Sequence, residues 1–159
     1  MLEELVATAQ SFALGDLFLG SLVGDFTEAD WQVRDPAGHG PRWIVGHLAA
    51  TRLRAMVLAG LPEQAPEWAP WFKMGTSPAE VPADLDPRLL VASFHASQEA
   101  LAAHWDAVGA TDLARPLGRT LPGGADTVGG ALRFLAWHEA YHLGQLGLLR
   151  RLAGKPGRA

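Results

Sequence analysis

VGGALRFLAWHEAYHLGQLGLLRRLAGKP, Val128 to Pro156, is the stretch on which the fold turns. Val128, Leu135 and Leu149 recur at steps of seven and Leu146 lies three before Leu149, the spacing of one apolar helical face. The helix starts after Thr127 and stops near Gly154-Lys155-Pro156. His142 takes the step of seven between Leu135 and Leu149, so it interrupts the seam. His138 sits four residues earlier, one turn away on the same face.

Working outward, three further segments share this period. The first runs from about Leu2 to Val23, with Leu5, Ala9, Phe12, Leu19 and Val23 along one seam. A second opens at Pro41, favoured in a first helical turn, carries Ile44, Leu48, Ala55 and Leu58, and stops at Gly60-Leu61-Pro62. The third starts after Asp86-Pro87, an N-cap followed by proline, and carries Val91, Phe94, Leu101, Trp105 and Val108, with Gly109 as its C-cap. Between the second and third lies Leu61 to Leu85, with five prolines and the tryptophans Trp68 and Trp71. Rings of that size find something to cover, so the segment reads as an ordered crossover over one end of the bundle. Arg115–Asp126, with Gly123-Gly124, is a second connector. No strand-like alternation of useful length, repeat or domain boundary is visible. The expectation is an all-α, single-domain four-helix bundle over residues 1–159, with a long crossover between helices two and three.

Composition narrows the function. There is no cysteine among the 159 residues, which removes disulfides, thiolate metal sites and a cysteine nucleophile, and is compatible with a cytoplasmic protein. The net charge is −4 and the only lysines are Lys73 and Lys155, so no basic stripe exists to neutralise nucleic-acid phosphates. The adjacent Arg150 and Arg151 read as compensation of a helix dipole. No uninterrupted apolar run reaches the ~20 residues of a membrane span. Glu3 and Glu4 stand where a signal peptide would be basic.

The histidines carry the chemistry. His138 and His142 are either core histidines satisfied by hydrogen bonds or a pair sharing one cation. Burying two neutral imidazoles leaves nitrogens that need partners, and a cation ~2.0–2.2 Å from each satisfies one nitrogen of both. His47 borders the apolar face of the second helix and reaches the same interior, so a three-histidine site, His47, His138 and His142, is the expectation. Three neutral ligands leave coordination positions for water or substrate. Asp16, on the seam between Phe12 and Leu19, either orients a ligand histidine or lies at a wet end of the bundle. His95 and His104 read as margin residues; His39, in the loop before the second helix, either lines a site mouth or is a surface-loop residue, and the second reading is preferred. No catalytic side chain is assigned.

His138-Glu139-Ala140-Tyr141-His142 also spells the zinc-protease pattern H-E-x-x-H. Only seventeen residues follow His142, and none is His, Glu or Asp, so the downstream ligand of such proteases is missing. No sheet edge is present to hold a peptide. Glu139, one step along from His138, points away from a metal shared by the two histidines.

Trp43-Ile44-Val45-Gly46-His47-Leu48 and His138-Glu139-Ala140-Tyr141-His142-Leu143-Gly144-Gln145-Leu146, with the Trp31–Pro36 region, Thr127 and Gly154-Lys155-Pro156, resemble the DinB-like (DinB/YfiT-like) metalloenzyme family over nearly the whole chain. The resemblance implies a four-helix bundle with a long crossover, a divalent metal (zinc or nickel) on His47, His138 and His142, and a homodimer. It also implies metal-dependent chemistry on a small molecule, as in relatives that are transferases or isomerases using low-molecular-weight thiols. Arg42, Arg52, Arg54 and Arg119 are the candidates to bind carboxylates of such a thiol. The leading expectation is a metal-dependent thiol transferase. A metal-assisted hydrolase and a non-enzymatic, stress-linked metal-binding or interaction bundle are the alternatives.

Overall fold

The computed structural model describes residues 1–73 and 75–158; Met74, in the crossover, and Ala159, the last residue of the expected domain, lie outside the described residues. The chain forms α1 (Glu3–Val23), α2 (Pro41–Leu58), α3 (Pro87–His104), a short α4 (Ala110–Ala114) and α5 (Val128–Leu152). Helix α1 packs between α3 and α5, and α2 packs between the same two, so the cyclic order is α1–α5–α2–α3. The architecture is the all-α four-helix bundle read from the sequence. Among the described residues β-pairing amounts to one isolated bridge, Pro116 to Thr127.

The seams fall where the helical period put them. Leu5, Phe12 and Leu19 of α1, Ile44 and Leu48 of α2, Phe94 and Leu101 of α3 and Val128, Leu146 and Leu149 of α5 are all buried. Each such side chain removed from water contributes about 1.5–3 kcal/mol before the entropy of ordering is charged against it. By length and composition α1 also qualifies as a membrane-crossing helix. Here its apolar seam is in the protein core.

Local signals set the helix ends. Pro41 opens α2 after an uncapped Gly40. The Asp86 carboxylate accepts from the Arg88 amide at 2.9 Å, and the Thr127 hydroxyl from the Gly130 amide at 3.3 Å. Gly154, at φ +78°, follows the end of α5. Gly109 departs from expectation. Helix α3 gives way at Trp105 to a 3₁₀ turn, and Gly109 instead precedes α4, its amide donating to Asp112. Trp105 and Val108 stay buried through this tighter turn, so the apolar pattern continued past the α-helical backbone.

Two connections position the site. The crossover carries 3₁₀ turns at Ala69–Phe72 and Pro78–Glu80, and it buries Trp68 and Phe72. Phe72 lies on α2 at Gly46, where a Cβ would come within 2.3 Å of its ring. Arg150 does more than complement a helix dipole. It is fully buried, it donates to the Leu22 carbonyl at the end of α1 (2.8 Å) and to Pro156 O (2.7 Å), and it pairs with Asp25. It thereby ties the C-terminal segment and α5 to the end of α1.

Candidate metal centre

Helix α2 supplies His47, and α5 supplies His138 and His142 one turn apart; the bundle brings all three together. His138 Nε2 lies 3.3 Å from His47 Nε2 and 3.1 Å from His142 Nε2. One ligand nitrogen from each ring falls within 4.8 Å of the others. Two nitrogens bound tetrahedrally to one ion at ~2.0–2.1 Å sit about 3.3 Å apart. The spacing therefore fits a small cation held between the rings.

The outer nitrogens explain why the inner ones face inward. His47 Nδ1 is 2.8 Å from the Phe72 carbonyl, and His142 Nδ1 is 2.7 Å from Gln145 Oε1. Both oxygens accept, so both rings carry the proton on Nδ1 and turn an Nε2 lone pair toward the cluster. A proton on His138 Nε2 can satisfy one of those lone pairs well, not both. His138 Nδ1 is buried with no partner among the described residues. A cation between the three Nε2 atoms accepts all three lone pairs at once, which hydrogen bonding within the triad cannot do; the His138 Nδ1 stays without a partner among the described residues in either case.

Burial lowers the pKa of all three rings. For His138 and His142 it does so to about 4, with the neighbouring imidazoles as the next cause, and for His47 the Phe72 carbonyl pulls the other way. At neutral pH the cluster is uncharged, which is the state a metal needs. Among the described residues no carboxylate joins the three histidines, so an ion held there keeps its charge. Three imidazoles suit zinc, nickel, copper or iron.

Glu139 is turned away from this point, as its position in the helix predicts. It is 2% exposed and forms a two-pronged ion pair with the fully buried Arg52, whose Nη2 lies 2.7 Å from Glu139 Oε1. Arg52 also donates to Gln98 (2.7 Å) and to the Phe12 carbonyl (2.6 Å) and lies over the Phe12 and Phe94 rings. Gly15 of α1 makes room, since a Cβ there would fall 1.8 Å from Glu139 Oε1. Burial raises the Glu139 carboxyl above its ordinary range, and the adjacent Arg52 guanidinium opposes that shift. The two-pronged contact is the geometry of a carboxylate paired with a guanidinium. This network links all four long helices. The general-base role that H-E-x-x-H suggests has no geometric support.

The other candidates separate clearly. Asp16 takes neither expected role in full, because it accepts from His95 Nδ1 at 2.7 Å across the α1–α3 boundary and touches no histidine of the cluster. His104 bonds the Ala59 carbonyl. His39 is a partly exposed residue of the loop before α2, and its ring lies 5.0 Å from Trp43, whose indole stacks on His47 at 5.0 Å. Arg52 is withdrawn from the carboxylate-binding set by its burial against Glu139, and Arg54 and Arg119 are exposed. Sequence reasoning missed Phe72 and Gln145, which orient His47 and His142, as well as Trp43. Gln145 was visible as the i+3 neighbour of His142; Phe72, twenty-five residues from His47, gave no signal.

With the geometry in place, comparison with known proteins adds the following. The family model of the DinB superfamily matches residues 19–146. Among solved structures, YfiT from Bacillus subtilis, described as "a probable metal-dependent hydrolase with an unusual four-helix bundle topology", superposes with a TM-score of 0.69 at 17% identity, over 98% of this chain and 91% of that one. No curated protein matches the sequence. The histidine triad thus sits in a bundle shared with YfiT, and the family match spans most of the chain, from α1 to α5: this protein belongs to the DinB superfamily.

Proposed function

We propose that this protein is a divalent-metal-dependent enzyme that activates a low-molecular-weight thiol for transfer to a small-molecule electrophile. The observation that carries the proposal is the convergence of three histidine Nε2 atoms, two of the rings being fixed by acceptors at Nδ1. A divalent ion there, zinc or nickel, supplies a Lewis acid that lowers the pKa of a nucleophile brought to it. His47, His138 and His142 hold it; Phe72 O and Gln145 hold two of those rings in register. Trp43 and Phe134 flank the cluster, Phe134 lying 5.9 Å from His138. The chain has no cysteine, so the thiol comes from a cosubstrate. A thiol needs no carboxylate base once its pKa falls, and among the described residues none joins the cluster.

Metal-assisted hydrolysis is the second reading, favoured by the description of YfiT. One experiment separates the two. Metal content per purified chain is measured for the wild type and His47→Ala, and the loaded protein is assayed on electrophiles with added thiols and on esters and amides without them. The expected result is about one ion per chain, lost in His47→Ala, with thiol consumption dependent on the ion. Turnover of esters or amides without thiol selects the hydrolase. Absence of metal after incubation with zinc or nickel overturns both and leaves the non-enzymatic bundle.

We also infer action in the cytoplasm, which the cysteine-free composition accommodates, and pairing with a second copy of the chain. The face between α1 and α5 exposes Leu14 (56%), Phe18 (41%) and Trp137 (64%) around a groove of about 720 Å³ also lined by Gly144 and Gly147. Two copies of one apolar face bury each other about a two-fold axis. Light scattering is expected to give the mass of two chains for the wild type and one for Phe18→Glu with Trp137→Glu; a monomeric wild type refutes the pairing.

A further inference from the structure

Arg34 and Arg42 are the two arginines that face one recess with no carboxylate partner among the described residues. The recess, about 310 Å³, lies where the segment before α2 meets the crossover, and its walls include Gln32, Gly40, Trp43 and Val81. Arg34 donates only to main-chain carbonyls, Trp31 O at 3.1 Å and Val33 O at 2.9 Å. Arg42 is 8% exposed and its Nη1 donates to the Ala83 carbonyl at 2.7 Å. Among the described residues its buried Nε has no acceptor, and neither has the buried Trp43 Nε1. Elsewhere the buried arginines Arg52 and Arg150 each have an acidic partner. A concave site lined by two guanidiniums that no carboxylate among the described residues neutralises suits an anion.

The backbone adds to the same field. Arg42 and Trp43 occupy the first turn of an 18-residue helix, where amide N–H groups have no helical acceptor, and the N-cap Gly40 offers no side chain to cap them. Gly40 also lets the Arg34 guanidinium lie across this end: a Cβ there would fall 2.3 Å from Arg34 Nη1. Guanidinium edges match the two oxygens of a carboxylate, and the indole of Trp43 with Val81 forms an apolar wall that suits an organic acid better than free phosphate. The wall also gives direction, because the Trp43 ring stacks on His47. One ring therefore separates the recess from the histidine cluster.

We propose that this recess binds a carboxylate of the small molecule that reacts at the metal centre, with Arg34 and Arg42 as its specificity-determining residues. The word "reacts" rests on the function proposed above; the binding itself does not. The test is heteronuclear NMR titration with benzoate and, separately, inorganic phosphate, on the wild type and on His47→Ala, with Arg34→Met, Arg42→Met and the exposed Arg54→Met as variants. Expected are saturable benzoate shifts at the Arg42 and Trp43 amides and the Trp43 indole N–H, in both the wild type and His47→Ala. A tenfold or greater weakening is expected in Arg34→Met and Arg42→Met, and none in Arg54→Met. Arg34 is exposed and bonds only neighbouring carbonyls, so its variant stays folded even where Arg42→Met loosens the crossover. Non-saturable shifts, an unchanged Arg34→Met, an equal loss in Arg54→Met or tighter binding of phosphate overturns the assignment. Failure of the metal reading appears separately, as a protein that binds benzoate but no zinc or nickel.

Discussion

Replacing Glu139 by glutamine exchanges one carboxylate oxygen for an NH₂ and removes the charge that balances Arg52. The Arg52 side chain is fully buried, and its remaining acceptors are one side-chain amide oxygen and the Phe12 carbonyl. In the variant an NH₂ faces a guanidinium N–H, one hydrogen bond is lost, and a buried cation stands uncompensated. Removing one partner of a buried pair costs about 3–5 kcal/mol. At roughly 2–4 °C per kcal/mol for a chain of this length, the melting temperature should fall by about 6–20 °C. Calorimetry and urea unfolding of metal-free protein measure the loss, while the metal-loaded variant is assayed alongside the wild type. Because Glu139 faces away from the cluster, metal content should be unchanged. Arg52→Met with Glu139→Leu should recover part of the stability, since apolar side chains of similar volume often replace a buried pair without penalty. The opposite pattern, unchanged stability with lost turnover in Glu139→Gln, would restore the H-E-x-x-H general base and refute the structural role given to this pair.

Gly46→Ala places a methyl group within 2.3 Å of the Phe72 ring and so displaces the carbonyl that orients His47. Metal affinity in a competitive chelator titration should fall about 10–100-fold, the effect of losing a partner behind a ligand, although alanine favours the helix itself by about 1 kcal/mol; unchanged affinity removes Phe72 from the site. The metal-free protein should also lose stability as pH falls from 6.5 toward 4. His138 and His142 hold folded pKa values of about 4 against 6.5 in the unfolded chain, so in that window the unfolded chain binds the additional protons. Urea midpoints across the window test this, and a flat profile refutes the buried, neutral triad.

The four seams were legible because helical period and burial are the same fact seen twice: Leu5, Phe12, Leu48, Phe94 and Leu146 could be assigned to the core by spacing alone. Proline and cap residues fixed Pro41, Asp86 and Thr127 as starts for equally local reasons. The pairing of His138 with His142 was likewise decided within one helical turn. Gly109 was misjudged because a 3₁₀ turn keeps an apolar pattern while ending the α-helix, and pattern does not distinguish the two. What lay beyond the sequence is everything set by contact between distant segments. That Arg52 meets Glu139 rather than a substrate, that Phe72 reaches His47 over Gly46, and that Arg34 and Arg42 share one recess depend on how α1, α2, α5 and the crossover pack. Period tells which face of a helix is buried; only the packed bundle determines which residues those faces bring into contact.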